Sequence, residues 1–145
     1  MTRSDVISEA LLWIGTPYQH QAHLRGIGCD CGGLIGGVAS ALGLCPDDWW
    51  ETEFAPYSGY ARQAQGRSLL DVLDKFMLPI AVADAVNGDV IAMRFRRDAQ
   101  HVGFLVPHGS GQALLHALGS SVVRHLIDKR WRSRFVQAYA LPGVD

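Results

Sequence analysis

The stretch Gly28-Cys29-Asp30-Cys31-Gly32-Gly33-Leu34-Ile35-Gly36-Gly37-Val38-Ala39-Ser40-Ala41-Leu42 decides how the rest of the chain is read. Asp30 suits a helix N-cap, because its carboxylate accepts hydrogen bonds from the free N–H groups of the turn that follows. Leu34, Ile35, Val38, Ala41 and Leu42 recur at helical spacing, and Gly43 supplies a stop. Cys31 therefore falls on the first turn of a helix, where unpaired N–H groups and the macrodipole favour an anion. A thiol so placed is expected to have its pKa lowered from about 8.5 into the range of roughly 3.5–7.5, especially beside a histidine. The glycines Gly32, Gly33, Gly36 and Gly37 each cost about 1 kcal/mol against alanine in a helix. They imply a very close neighbour, either a sheet or a substrate-lined groove. The other reading of the same stretch is a buried structural cysteine on a core helix.

Working outward, 145 residues suit one domain, residues 1–145, with a sizeable core. Apolar residues make up 48%, charged residues 19%, and the net charge is -1, so neither disorder nor a nucleic-acid partner is indicated. No run of about 18 apolar residues exists to span a membrane. Asp5 and Glu9 interrupt the first apolar stretch, which argues against a signal-peptide core and for synthesis in the cytoplasm. Cys29, Cys31 and Cys45 are an odd set that fits a reducing compartment better than a disulfide framework. With His20 and His23, Cys29 and Cys31 spell a His-x2-His-x5-Cys-x-Cys zinc alternative, although zinc knuckles separate paired cysteines by two to four residues.

Before this stretch, Ser4 or Asp5 can cap a helix with Val6, Ile7, Ala10, Leu11 and Ile14 on its core face, ended by Gly15 and Pro17. Thr16-Pro17-Tyr18 opens an irregular loop reaching Gly28, and the Tyr18 phenol could donate a hydrogen bond to a neighbouring thiolate. Beyond it, Cys45 to Gly66 reads as a loop rich in Trp49, Trp50, Tyr57 and Tyr60, either a lid over a core edge or a ligand-gripping surface. A helix follows from about Ser68 to Met77, closed by Leu78-Pro79. Then Asn87-Gly88-Asp89 signals a turn, and short runs at Val90–Phe95, Val102–Val106, Ala113–Ala117, Val122–Ile127 and Phe135–Leu141 read as strands. Trp131 opens a closing segment expected to pack on the sheet. Helices first and antiparallel strands afterwards is an α+β pattern.

Two histidines bracket one hairpin. If Val106 pairs with Gly111, or if His108-Gly109 forms a two-residue turn, His101 lies directly opposite His116 on one sheet face. A one-residue slip would separate them. Taken alone, the pair also fits exposed polar positions or half of a metal site. With a cysteine at a helix N-terminus, the set fits a nucleophile, a base and an orienting group.

Asp30-Cys31-Gly32-Gly33-Leu34-Ile35, Gly88-Asp89-Val90, His101-Val102-Gly103-Phe104 and Leu115-His116-Ala117 occur in the order found in the NlpC-type cell-wall peptidases, which this sequence resembles over nearly its whole length. Gly15-Thr16-Pro17-Tyr18 and Trp131-Arg132-Ser133-Arg134-Phe135-Val136 add to the likeness. Two departures are Gly32, where the pattern has serine, and a His101–His116 interval three residues longer than common. The resemblance implies a papain-like α+β fold with N-terminal helices packed on a C-terminal antiparallel sheet. It implies Cys31 as nucleophile, His101 as base, His116 as its orienting partner and Tyr18 beside the nucleophile, with no cofactor and no metal. The implied activity is cysteine endopeptidase cleavage of peptidoglycan stem peptides, at the γ-D-glutamyl–diamino-acid bond. Within the family, the run Gly-Thr-Pro-Tyr-x-His-Gln and Gly-x-Gly-Cys-Asp-Cys resembles the branch in phage tails and gene transfer agents. That branch implies tail proteins as partners and a particle that delivers the enzyme to the periplasm or wall of a target cell. A silent tail component of the same fold, and an amidase or acyltransferase on the same framework, are the alternatives.

Overall fold

In the computed structural model, which describes residues 1–54, 68–95 and 99–145, helices and an antiparallel sheet pack as α+β. The elements run α1 (Arg3–Leu11), β1 (His23–Leu24), β2 (Gly28–Cys29), α2 (Cys31–Ala41), α3 (Ser68–Phe76), β3 (Leu78–Ile80), β4 (Val90–Arg94), β5 (Ala99–His108), β6 (Gly111–Leu118), β7 (Ser121–Leu126), α4 (Lys129–Arg132) and β8 (Phe135–Ala140). The six-stranded sheet has the order β3-β8-β4-β5-β6-β7. Strands β4 to β7 form a meander, and β8 returns to the outer side of β4. Pro56, Tyr57 and Tyr60, and with them most of the proposed lid, lie outside the described residues.

Alternation along the strands divides the sheet into two unlike faces. Val102, Phe104 and Val106 of β5, with Ala113 and Leu115 of β6, face α1, α2 and α3 and share a core with Val6, Leu34, Val38, Leu69 and Val72. Leu105 and Leu114 point the other way, into a smaller cluster with Ile91, Met93 and Ala138, against which Trp131 and Phe135 pack. His101, His116 and His125 belong to this second face by register and alternation.

Several local expectations need revision. The cap of α1 is Thr2, whose hydroxyl accepts from Asp5 N while the Asp5 carboxylate accepts from Thr2 N at 2.8 Å, a reciprocal capping box. Trp13, not Ile14, is buried at the end of that helix; Ile14 is exposed. The segment expected as an irregular loop up to Gly28 instead supplies β1, which pairs with β2 in a short hairpin just before α2. Leu78-Pro79 not only ends α3 but forms β3, an edge strand where proline is tolerated. The β5–β6 turn is Gly109-Ser110, with His108 opposite Gly111 and Val106 opposite Ala113. Gly109 has φ 56°, and a glycine at the first central position is what a type II′ turn requires. The register is thus displaced by two residues from the expected one, and an even displacement leaves both histidines on one face.

The helical glycines do mark close approaches. A methyl group at Gly33 would overlap the Ala22 carbonyl, and at Gly36 and Gly37 it would overlap the indoles of Trp49 and Trp13. The Gly88-Asp89 pair is architectural. Gly88 has φ 98° with the Arg3 side chain against it, and buried Asp89 accepts from Arg3 Nη2 at 3.2 Å and Val86 N at 2.9 Å, tying α1 to the start of β4.

Candidate active site

Cys31 opens α2. The N-cap is Asp30, almost fully buried, whose Oδ1 accepts from Gly33 N at 2.8 Å and whose Oδ2 accepts from Gln21 N at 2.7 Å. One carboxylate therefore holds both the helix start and the preceding loop. Thr16-Pro17-Tyr18 runs between β7 and the β1–β2 hairpin: Tyr18 N donates to Ser120 O at 2.9 Å, and Cys29 N donates to Pro17 O at 3.0 Å. Tyr18 forms a parallel bridge with Cys29, two residues before Cys31, and is 42% exposed.

The Cys31 thiol is buried and lies against the backbone N–H groups of Val102, Gly32 and Cys31 itself, each of which favours the thiolate. Burial outweighs them. Desolvation first, and the nearby Asp30 charge second, push the thiol up to about 12. The expected lowering at a helix N-terminus is therefore reversed, because burial takes the thiolate out of water and the residue that caps the helix adds a negative charge beside the sulfur. Cys29 is likewise pushed up to about 12 by burial and Asp30. Both residues are neighbours of one carboxylate, and Cys31 meets the Val102 backbone of β5.

His101 is the residue before Val102. Its Nε2 lies 2.7 Å from His116 Nδ1. The approach is diagonal: extending the β5–β6 register sets Gly103, not His101, opposite His116. Gly103 makes this possible, since a methyl group there would stand 2.9 Å from His116 Cβ and 2.9 Å from the Leu115 carbonyl oxygen. A register shift between Met93 and Arg94 on the other side of β5 leaves an extra residue just before His101, a bulge of the kind that re-aims a side chain. Both rings are buried, and desolvation lowers His101 to about 4 and His116 to about 2, the latter also through the charges of His101 and His125. At neutral pH these imidazoles and the thiol rest uncharged.

The structure thus joins His101 to His116 directly and brings Cys31 to the backbone of the residue after His101. It also adds a member that the sequence reading missed. His116 Nε2 lies 2.8 Å from His125 Nε2, and His125 Nδ1 lies 2.9 Å from the Leu126 carbonyl oxygen. The signal was present: a two-residue Gly119-Ser120 turn sets Leu118 opposite Ser121, which puts His125 diagonal to His116. Trp131, on α4, covers the row, with ring centroids 5.1 Å from His116 and 4.8 Å from His125. Phe95 lies 5.0 Å from His101.

A separate, mainly apolar cavity of about 220 Å³ lies between α2 and α3, lined by Gly32, Gly36, Cys45, Trp49, Leu73 and Met77 among others. His23, considered as a zinc ligand, stacks on Trp50 at 4.4 Å and meets the edge of Trp49. Among the described residues no group of three or more His, Cys, Asp or Glu is arranged to hold a metal ion, and no helix is long and apolar enough to cross a membrane.

Solved structures share this architecture. The NlpC/p60 domain of the peptidoglycan hydrolase SagA superposes with a TM-score of 0.63 at 19% identity, covering 97% of this chain and 100% of that one. The fold is that of NlpC/P60 domains. A protein of Staphylococcus aureus subsp. aureus Mu50, described as similar to lipoprotein of the NLP/P60 family, matches at TM-score 0.62 and 19% identity over 96% of this chain. The present chain spans 41% of that protein. No protein-family model and no curated protein matches the sequence. At such identities the NlpC/P60 likeness speaks for the fold, and the chemistry rests on the residues.

Proposed function

We propose that the chain is a thiol-dependent endopeptidase acting on peptidoglycan stem peptides. The observation that carries this reading is the buried His101–His116 pair, set at the strand end where the Cys31 thiol meets the Val102 backbone. His101 Nε2 is engaged by His116, so Nδ1 is the ring nitrogen left for the thiol proton. Because both groups rest neutral, proton transfer accompanies attack instead of preceding it as a stable ion pair. His101 Nδ1 takes the proton, and the sulfur attacks the peptide carbonyl. The resulting imidazolium returns the proton to the leaving amine, and water clears the thioester. The backbone N–H of Cys31, with the Tyr18 hydroxyl, serves the oxyanion. The NlpC/P60 fold of a peptidoglycan hydrolase supports the substrate class, and the resemblance supports the γ-D-glutamyl–diamino-acid bond. The Gly15-Thr16-Pro17-Tyr18 and Gly28-Cys29-Asp30-Cys31 motifs support a place in a phage-like tail, with the enzyme acting in the target cell's wall.

The test is digestion of purified peptidoglycan followed by mass spectrometry of the released peptides. Wild type should free new stem-peptide termini, and the fragment masses identify the bond. Cys31→Ala should lower the rate by at least about a thousandfold with the fold intact, whereas Cys29→Ala should keep most of it. Activity that survives without Cys31 would remove the reading. Co-sedimentation of the chain with purified tail particles tests the proposed setting.

A further inference from the structure

The histidine row ends on a group whose hydrogen-bonding role cannot change. A backbone carbonyl only accepts, so His125 Nδ1 carries a proton toward Leu126 O, 2.9 Å away. Neutral His125 then has a bare Nε2. That atom, 2.8 Å from His116 Nε2, accepts the proton of His116. His116 in turn has a bare Nδ1, which accepts from His101 Nε2 at 2.7 Å. His101 is left with a lone pair on Nδ1, the nitrogen that must take the thiol proton.

The two inner histidines cannot settle this by themselves. Their contact is satisfied equally well in reverse, with His116 Nδ1 donating to His101 Nε2. In that arrangement His101 Nδ1 carries a hydrogen and is useless as a base. His116 is fully buried, so bulk water does not break the tie. We infer that His125, on the neighbouring strand, is a positioning residue that gives the row its direction and keeps His101 in the basic tautomer. This rests on the peptidase reading for its consequence, but the direction of the row is a property of the resting protein. Trp131 meets His116 edge to face and His125 at a tilt, and so limits how either ring can turn.

Two measurements test it. In the intact protein with 15N-labelled histidine at pH 8, above the ordinary imidazole range near 6.5, two-bond proton–nitrogen correlations report each tautomer. His125 should carry its hydrogen on Nδ1, and His116 and His101 theirs on Nε2. A hydrogen on Nδ1 of His116 or of His101 overturns the inference, whether or not the protein cleaves anything. If the tautomers are as stated and wild type leaves peptidoglycan intact, the peptidase reading fails and the row's direction stands. The second measurement uses His125→Phe, which keeps an aromatic ring against Trp131 but cannot accept, and His125→Gln, whose amide oxygen can. His125→Phe should lower kcat about tenfold with KM unchanged, and His125→Gln should restore most of it. Equal rates for His125→Phe and wild type, or for the two variants, overturn it. Should His125→Phe not fold, the wild-type tautomers and the His125→Gln rate carry the same decision.

Discussion

Both faces of the central sheet carry fully buried side chains, and for opposite reasons. Toward α1, α2 and α3, the strands present Val90, Ala92, Val102, Phe104, Val106 and Leu115, which need only volume and exclusion of water. On the far face, His101 and His116 are buried with Met93, Leu105 and Trp131 close by, and their ring nitrogens must be partnered at every step. The first face is specified mainly by shape and volume. The second works only in one geometry and one protonation pattern, so equal-sized changes on the two faces should have unequal consequences.

The largest effect belongs to the helix face. Phe104 is fully buried in the centre of β5, and Phe104→Ala should cost about 3–5 kcal/mol, read as a lowered urea midpoint with an unchanged slope. A loss well below 1 kcal/mol would mean that this face is looser than its packing indicates.

Next comes pH. Burial holds His101 at about 4 against an ordinary value of 6.5, so the folded protein binds fewer protons than the unfolded chain between these limits. Stability from this group is complete above pH 6.5 and is lost as the pH falls through 6.5 toward 4. A difference of this size corresponds to about 3 kcal/mol at most. Urea midpoints at pH 7 and pH 4.5 should diverge in wild type, and the divergence should shrink in His101→Gln. A variant as acid-sensitive as wild type would show that the histidine face is not the source.

A matched pair of glycines compares the faces directly. Gly37→Ala drives a methyl into the Trp13 indole on the helix side, and Gly103→Ala drives one against His116 Cβ and the Leu115 carbonyl on the other. Both should lose about 1–3 kcal/mol from overpacking. Only Gly103→Ala should also lower kcat on peptidoglycan peptides, because the displaced side chain is the one that orients His101. Equal rate losses for the two variants would break the distinction between the faces.

What could be read beforehand follows the same division. The helix face obeys periodicity, so α2, α3 and the strands from Val90 onward were recoverable within a few residues. The glycines of α2 announced close neighbours without saying that these would be Trp13, Trp49 and the Ala22 carbonyl. The His101–His116 pairing came through a wrong turn, since a shift of two residues conserves the face while changing the partner. His125 is harder to find, because within the Val122–Ile127 run its partner depends on the β6–β7 register, which sets it diagonal to His116. The direction of the thiol's shift is not legible in the sequence because helix-end geometry is local, whereas the burial that dominates depends on how the rest of the chain closes over Cys31.

The smallest effect separates burial from dependence. Tyr139 is a polar side chain on the helix face; it is fully buried, and its hydroxyl donates to Asp74 Oδ1 at 2.7 Å, joining β8 to α3. Tyr139→Phe deletes that hydrogen bond, as His125→Phe deletes one on the opposite face. The partners left behind differ. Asp74 is exposed, so water can take the place of the phenol, while His116 is sealed from solvent. Tyr139→Phe should therefore cost about 1 kcal/mol or less, measured as a small drop in urea midpoint, with kcat unchanged. A loss near 3 kcal/mol would show that the phenol holds α3 against the sheet as strictly as the histidines hold one another, and the two faces would then differ in composition alone.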